Sequence, residues 1–247
     1  MEKLVINCHD DIVRYCNKKG IWLDDFNEPV EIPEGVENCN DMFSGCKSFN
    51  QPIVIPTGVK CCCFMLTDCK AFNQPVIIPN TVKSCDGMFT DCISLNQSVI
   101  IGDNVESCYY MFSGCKSFNQ LIVIPIGVKC CDGMFSRCKS FNQPVVISNT
   151  VKSCDRMFFY CSSFNQPIVI PEGVENCHSM FAGCDSFNQP IVIPDTVKSC
   201  DRMFFDCINF NQPVDIPCNA IWWHHIVDGC TKLDKPITIP SKVLVGR

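Results

Sequence analysis

The strongest constraint on the fold is a repeat of 23 residues that runs through the chain without an insertion or a deletion. A spacing this regular indicates that one supersecondary element is copied along the chain. We number each unit from a bulky apolar residue, which gives nine full units and a partial tenth. These first positions are Phe26, Phe49, Phe72, Leu95, Phe118, Phe141, Phe164, Phe187, Phe210 and Leu233.

Apolar residues keep fixed places within the unit. The consensus is F-N-Q-P-[IV]-[VI]-I-P-x-[GT]-V-[KE]-x-C-x-x-M-F-x-x-C-x-S, and position 7 is isoleucine in every unit from Ile32 to Ile239. A single unit of this length cannot enclose a core, whereas stacked units can share one. The repeat therefore predicts a solenoid in which each unit forms one coil.

The β-branched segment at positions 5–7 is the best strand candidate in each unit, and the proline at position 8 ends it. Strands of successive units are predicted to pair in parallel, about 4.8 Å apart, and to form one sheet face. The C-x-x-M-F-x-x-C segment at positions 14–21 is predicted to form a short helical turn or an irregular arc on the opposite side.

The two ends of the array depart from the consensus. Residues 1–25 are predicted to form an N-terminal cap, with a short helix in "HDDIVRYCNKK" that Asp10 or Asp11 would cap. Residues 26–217 are predicted to form the solenoid. Residues 218–247, which contain "AIWWHHIVDGC", are predicted to form a divergent C-terminal cap.

Two strings in the unit resemble known bacterial repeats. "MFSGCKSFNQP" (42–52) resembles the mycoplasma-type repeat of BspA-like surface proteins, and "IVIPTGV" (53–59) resembles the strand of the Treponema-type leucine-rich repeat, also BspA-like. The resemblance covers about residues 26–243 and implies an α/β leucine-rich-repeat solenoid. Similar arrays occur in protists and giant viruses, and they serve adhesion, recognition and unknown roles. In this chain, cysteine takes position 14, where the family usually has an aliphatic residue.

Seventeen of the 23 cysteines fall on two unit positions, so stacking would place them in two ladders. Position 14 holds Cys39, Cys62, Cys85, Cys108, Cys131, Cys154, Cys177 and Cys200. Position 21 holds Cys46, Cys69, Cys92, Cys115, Cys138, Cys161, Cys184, Cys207 and Cys230. Three interpretations remain open: buried reduced thiols that act as small apolar side chains, disulfides within or between the ladders, and metal ligands. The C-x₆-C spacing is not that of a zinc site.

If positions 5 and 7 face the core, position 6 faces outward. Seven consecutive units carry an apolar residue there: Val54, Ile77, Ile100, Val123, Val146, Val169 and Val192. Glu31, Asp215 and Thr238 lie at the two ends of this series. An exposed apolar patch of this kind is typical of an interface. We call the seven residues the stripe and predict that it binds another protein or another copy of this chain.

The rest of the sequence offers little chemistry. No nucleophile, phosphate-binding or zinc-protease motif is present, and His224-His225 is the only histidine pair. The net charge is −6 without a basic tract, which argues against nucleic acid as a partner. Leu4-Val5-Ile6 is too short for a signal peptide, and no run approaches a membrane span. We expect an intracellular location, with a virion or a cell surface as alternatives.

The predicted function is a non-catalytic interaction solenoid that uses its sheet face for recognition, adhesion or self-association. The alternative is a structural component of a virion or a cell surface, stabilised by the cysteine ladders. Neither function needs a cofactor or a metal, and no enzymatic activity is expected.

Overall fold

The computed structural model describes residues 3–239, which wind into stacked coils. Its regular elements are few and short. They are β1 (Leu4–Val5), α1 (His9–Lys19), a 3₁₀ helix (Leu23–Asp25), β2 (Val30–Glu31), β3 (Val76–Ile77), β4 (Val99–Ile100), β5 (Val214–Asp215) and β6 (Ile237–Thr238). Each strand from β2 to β6 lies at positions 5 and 6 of its unit, as the β-branched residues predict.

The strands form three separate parallel pairs: β1 with β2, β3 with β4, and β5 with β6. In the central pair, Val76 is opposite Val99 and Ile77 is opposite Ile100, which is one unit further along the chain. The predicted continuous sheet at positions 5–7 is therefore wrong for the residues that the structure describes. Proline stands at positions 4 and 8 of most units and has no N–H to donate, so it limits each strand to the few residues between. It does not decide which strands pair, because β5 and β6 pair although Pro213 and Pro236 precede them, whereas the coil of Leu121 forms no strand.

A continuous parallel ladder exists elsewhere, along position 13. Each residue in this column forms a β-bridge with its equivalent in the next coil. The column consists of Asn38, Cys61, Ser84, Ser107, Cys130, Ser153, Asn176, Ser199 and Trp222. Backbone bridges therefore join the successive coils without interruption at position 13, next to the segment that was predicted to form an irregular arc.

The arc at positions 14–21 carries this bonding forward. The N–H groups at positions 14, 16, 18 and 20 donate to carbonyls of the next coil; in one coil these are Cys39 to Cys61, Asp41 to Cys63, Phe43 to Met65 and Gly45 to Thr67. The intervening N–H groups close short turns within the coil, for example Met42 to Cys39. Since both sets of donors are satisfied, the arc can be buried without an energetic penalty for unpaired backbone groups.

Two left-handed residues per coil make the arc irregular rather than helical. Positions 16 and 20 have positive φ in each coil from 41–45 to 225–229, whether or not they hold glycine. Gly87 and Gly133 occupy position 16 beneath the rings of Phe64 and Tyr110 from the preceding coils, and a Cβ there would lie within 2.6 Å of ring atoms. Glycine is therefore required where the previous coil has an aromatic residue.

The N-terminal segment packs its helix against the first coil. α1 spans the predicted residues, and it buries Ile12 and Cys16. The predicted cap residue is wrong: Cys8 precedes the helix as its N-cap, and Asp11 lies within the first turn. The Asp11 carboxylate accepts hydrogen bonds from the N–H groups of Asn7 at 2.7 Å and Cys8 at 3.3 Å, which satisfies helix-end donors from inside the helix.

At the other end, the coil geometry continues through the described part of the predicted C-terminal cap. Trp222 extends the position-13 ladder from Ser199, and β6 pairs with β5. The division at residue 218 stays a prediction, and residues 240–247 of that segment lie outside the described residues.

Two interleaved stacks of phenylalanine rings form the centre of the core. Position 1 supplies one stack, with Phe118, Phe141 and Phe164 at successive centroid separations of 6.1 Å. Position 18 supplies the other, and the two stacks meet at 4.2 Å between Phe135 and Phe141. The rings are nearly parallel throughout, and each pair contributes about 0.5–1.5 kcal/mol beyond the burial of its apolar area. Leu95 replaces the ring in one coil and is also fully buried.

The position-21 cysteines have a specific role in this core. Each thiol from Cys69 to Cys230 donates a hydrogen bond to the position-18 carbonyl of the preceding coil, at 2.8–3.1 Å. Cys138, for example, donates to Phe112 at 3.0 Å. Cysteine fits this place because its side chain is small and apolar, yet its S–H can donate a hydrogen bond. Burial raises the pKa of these thiols, for example at Cys115 and Cys138.

The position-14 cysteines are equally buried, with no exposed surface on any of the eight. Burial raises the pKa of Cys131 and Cys200 to about 12. All seventeen ladder cysteines are thiols in the structure rather than disulfide partners.

Polar ladders run along the edges of the coils. The side-chain oxygen of the position-2 asparagine accepts from the backbone N–H of the same position in the next coil, as in Asn50 to Asn73 at 2.8 Å. The asparagines therefore have a structural role in joining successive coils. At position 12, Glu106 pairs with Lys129 at 2.6 Å and with Lys83 at 3.5 Å. These pairs are largely exposed, so solvent screens them and each contributes little to stability.

We expect Phe141→Ala to lower the free energy of unfolding by about 3–5 kcal/mol, because it leaves a cavity between four stacked rings. Phe141→Leu should cost less, since leucine occupies the equivalent place at Leu95. Urea unfolding followed by fluorescence measures both changes. Equal unfolding midpoints for the alanine variant and the wild type would contradict the assignment of this stack as the centre of the core.

The buried thiols also predict a dependence of stability on pH. Their pKa is raised in the folded state, so their stabilising contribution is complete below the unfolded thiol pKa of about 8.5 and is lost as pH rises above it. In urea unfolding under reductant between pH 7.5 and 10, Cys115→Ala/Cys138→Ala should flatten the decline of stability above pH 9. The slope of the unfolding free energy against pH should become less negative, by up to about 1.4 kcal/mol per pH unit for each thiol removed.

Cys8→Ala is the matched control for this series, because Cys8 is exposed and belongs to neither ladder. Lysine ionisation is common to all variants and cancels in the comparison. A decline of the same slope in the double variant and the wild type would show that the ladder thiols do not titrate on unfolding.

Candidate interaction surface

The stripe residues project into solvent from seven consecutive coils. Their exposed fractions range from 57% at Ile100 to 82% at Val146. The residues on either side of each, at positions 5 and 7, are buried or nearly so, for example Val145 and Ile147 at 6%. Because side chains alternate along an extended segment, packing positions 5 and 7 into the core forces position 6 outward.

A second apolar column runs beside the stripe at position 4. It shares the outward orientation of position 6 and consists mostly of proline: Pro52, Pro75, Leu121, Pro144, Pro167 and Pro190 are exposed. Proline is absent from two coils along the stripe: Leu121 keeps the place apolar and 61% exposed, whereas the exposed Ser98 interrupts the apolar column. The sequence interpretation missed this column because it treated proline only as a strand terminator, although the same alternation that placed position 6 outward also places position 4 outward.

Clefts open between stripe residues of neighbouring coils. One cleft of about 610 Å³ lies between Val169 and Val192, and it is lined mainly by the prolines and isoleucines of those two coils. Another of about 390 Å³ lies between Val54 and Ile77. Both separate coils that form no strand pair, whereas Ile77 and Ile100 belong to paired strands. Volumes of this size suit an apolar anchor side chain from a partner.

Charged residues mark the two ends of the stripe. Glu31 and Asp215 occupy position 6 in the first and ninth units, and both are exposed. A further small cleft at the N-terminal end has Lys3, Glu31 and Glu34 in its lining. The apolar surface is therefore bounded along the solenoid axis rather than continuous to its ends.

The cysteine ladders lie apart from this surface. Apart from Cys230, which is partly buried, their members have no exposed surface, and they pack inside the coils. The structure thus separates the predicted site residues into an exposed stripe and two internal columns. Only the stripe can touch a partner without unfolding.

The histidine pair makes contacts within its own coil and with Asp201 of the preceding coil. The His224 ring stacks on Trp223 with a centroid separation of 5.7 Å, and His225 Nδ1 lies 2.6 Å from an Asp228 carboxylate oxygen. Among residues 3–239, no three or more histidine, cysteine, aspartate or glutamate side chains are grouped as metal ligands would be. Over the same residues, no helix has the length and apolar character needed to cross a bilayer.

Solved structures identify the fold. A leucine-rich repeat protein from Eubacterium ventriosum is similar with a TM-score of 0.53 and 17% identity, over 88% of this chain and 63% of that chain. This chain therefore spans less than two thirds of that protein. Leucine-rich repeat proteins from Treponema pallidum (TM-score 0.40, 20% identity, 68% and 71% coverage) and Bacteroides ovatus (0.39, 16%, 88% and 80%) are also similar. The Eubacterium likeness shows a leucine-rich-repeat fold.

Sequence families give a more specific result. The family described as "Mycoplasma protein of unknown function, DUF285" matches residues 25–124, 57–145, 103–192 and 171–233. A comparison with curated proteins found no match. The family match confirms the resemblance to mycoplasma-type repeats that "MFSGCKSFNQP" indicated. Since the overlapping matches extend from residue 25 to residue 233, the chain, which has a leucine-rich-repeat fold, belongs to the DUF285 family.

Proposed function

We propose that this protein is a non-catalytic interaction solenoid whose stripe, together with the position-4 column, binds another protein or a second copy of the chain. The observation that carries the proposal is the exposure of seven apolar side chains in a row on neighbouring coils. Soluble proteins scatter exposed apolar residues singly, whereas a contiguous apolar patch marks a site of contact.

The dimensions of the surface agree with this role. At about 4.8 Å per coil, seven coils give a stripe roughly 30 Å long, and two columns about 7 Å apart give an apolar area on the order of 300 Å². A stable interface buries about 800 Å² on each partner. The stripe therefore suits the apolar centre of an interface, whose rim would use polar residues of the adjacent turns.

The shape of the surface favours an elongated partner segment over a compact one. The two clefts lie at opposite ends of the stripe, and each can receive one aliphatic or aromatic side chain. Anchors that fill pockets of this kind contribute most of the binding free energy at protein interfaces. Glu31 and Asp215 would then limit how far the partner extends along the axis.

We predict that Val123→Thr/Val146→Thr/Val169→Thr weakens self-association and reduces the binding of a hydrophobic dye, because hydroxyls replace methyl groups at the centre of the stripe. Threonine keeps the β-branched shape and occurs at position 6 in the tenth unit as Thr238. Sedimentation equilibrium over a concentration series measures self-association, and dye fluorescence measures the exposed apolar surface. Circular dichroism checks that the fold is retained.

The matched control changes three exposed isoleucines outside the stripe, Ile126, Ile208 and Ile221, to threonine. It should leave the mass and the dye signal closer to those of the wild type than the stripe variant does. If the stripe variant matches the wild type in mass and dye binding, the stripe is not an interaction surface. The structural role predicted as the alternative would then be favoured.

A further inference from the structure

A pair of thiols lies outside both cysteine ladders. The sulfur atoms of Cys61 and Cys63 are 3.2 Å apart, and the Cys63 sulfur is also 3.0 Å from Ser84 Oγ. Both residues are partly exposed, whereas Cys62 between them is buried in the position-14 ladder. The two outer side chains of Cys61-Cys62-Cys63 therefore turn to the same side of the coil and reach solvent.

The backbone around the pair is fixed on both sides. Cys61 forms parallel bridges with Asn38 and Ser84 in the adjacent coils. The Cys63 N–H donates to Asn40 Oδ1 at 2.9 Å, and the Phe64 N–H donates to the next coil. The two thiols are thus held in contact by the same inter-coil ladder that organises the arc, and not by a mobile loop.

No other coil has thiols at both of these positions. Position 13 holds serine in Ser84, Ser107, Ser153 and Ser199, and the half-buried Cys130 is followed at position 15 by an aspartate. The pair is also not explained by the core, because the ladder thiols already supply the buried hydrogen bonds.

We propose that Cys61 and Cys63 form a dithiol site that closes to a disulfide by exchange with a low-molecular-weight disulfide of the glutathione class. Closure requires the sulfur atoms to approach from 3.2 Å to a bond length of about 2.05 Å, a movement of roughly 1 Å. Rotation of the two partly exposed side chains can supply this movement while Cys62 stays in its ladder.

The exchange proceeds in two balanced steps. The Cys61 thiol loses a proton to solvent, and its thiolate attacks one sulfur of the oxidised glutathione, so that a mixed disulfide forms and one glutathione thiolate leaves. The Cys63 thiol then loses its proton and attacks the Cys61 sulfur, which releases the second glutathione thiolate. Two protein thiols are oxidised to one disulfide, and one glutathione disulfide is reduced to two thiols.

The electrostatics of the pair support this order. Burial is the main cause that raises the pKa of Cys63 to about 11, so this thiol keeps its proton at neutral pH. In the second step its attack is intramolecular at a contact distance, which compensates for a small thiolate fraction. The ladder thiols are excluded from exchange because they are buried and have no access to the oxidant.

The test exposes the folded full chain to excess oxidised glutathione at pH 7.5, quenches with acid, then unfolds and alkylates it without reductant. Trypsin should release residues 61–70, which contain Cys61, Cys62, Cys63 and Cys69. We expect this peptide to carry two alkyl groups instead of four, with fragmentation placing the disulfide between Cys61 and Cys63. Peptides of the other coils should be oxidised at least about tenfold less, in accordance with their burial.

Two variants separate the roles of the thiols. Cys63→Ser should accumulate one glutathione on Cys61, because the resolving thiol is missing. Cys61→Ser should carry much less glutathione at neutral pH, because the raised pKa of Cys63 keeps the remaining thiol protonated. Serine is accommodated at position 13 in four other coils, and circular dichroism checks the fold. Cys130 serves as an internal control that can take an adduct but cannot close a disulfide with its neighbour at position 15.

Four alkyl groups on the wild-type peptide would overturn the proposal, as would loss of the same two groups in Cys63→Ser, which would place the disulfide between other sulfur atoms. The experiment is independent of the stripe, since neither thiol lies on that surface.

Discussion

The structure depends on backbone hydrogen bonds that join each coil to the next through positions 14, 16, 18 and 20. These donors, four in most of the described coils, together with the position-13 bridges, fix the register of the solenoid at one unit per turn. The phenylalanine stacks and the thiol–carbonyl bonds can form only in that register, because each pairs a residue with an equivalent or nearby position in the neighbouring coil. The arc therefore carries the hydrogen bonds between coils, and it also fixes the register in which the core side chains pack.

The opposite side has fewer backbone hydrogen bonds between coils, and its prolines limit the length of each strand. With proline at positions 4 and 8 of most units, three N–H groups per strand segment remain, and only three strand pairs form among the described residues. Coils that do not pair are separated by clefts at the surface, such as the one between Val169 and Val192. The same prolines that weaken the sheet add apolar surface beside the stripe. The proposed interaction surface therefore lies on the side where few backbone hydrogen bonds join the coils.

Alternation and period were sufficient to predict the solenoid, the inward isoleucines at position 7 and the outward orientation of Val146 and its equivalents. They were not sufficient to locate the inter-coil ladder, because β-branched residues suggested a sheet at positions 5–7. The left-handed backbone at position 16 was also missed, since residues as different as Asp41, Phe64 and Arg156 share it. The recurrence of glycine at positions 16 and 20, as in Gly87 and Gly45, was the available signal. The thiol contact of Cys61 and Cys63 depends on side-chain direction within a turn, which spacing alone does not give.

Hydrogen–deuterium exchange resolved to single amides tests the central claim most directly, because it reports which backbone groups are protected in the folded protein. If the arc holds the coils together, the N–H groups of Phe112 and Phe135 at position 18 should exchange far more slowly than those of Ile55 and Ile124, which belong to coils without strand pairing. Equal or greater protection at Ile55 and Ile124 would contradict the account, since it would place the stabilising ladder on the apolar face.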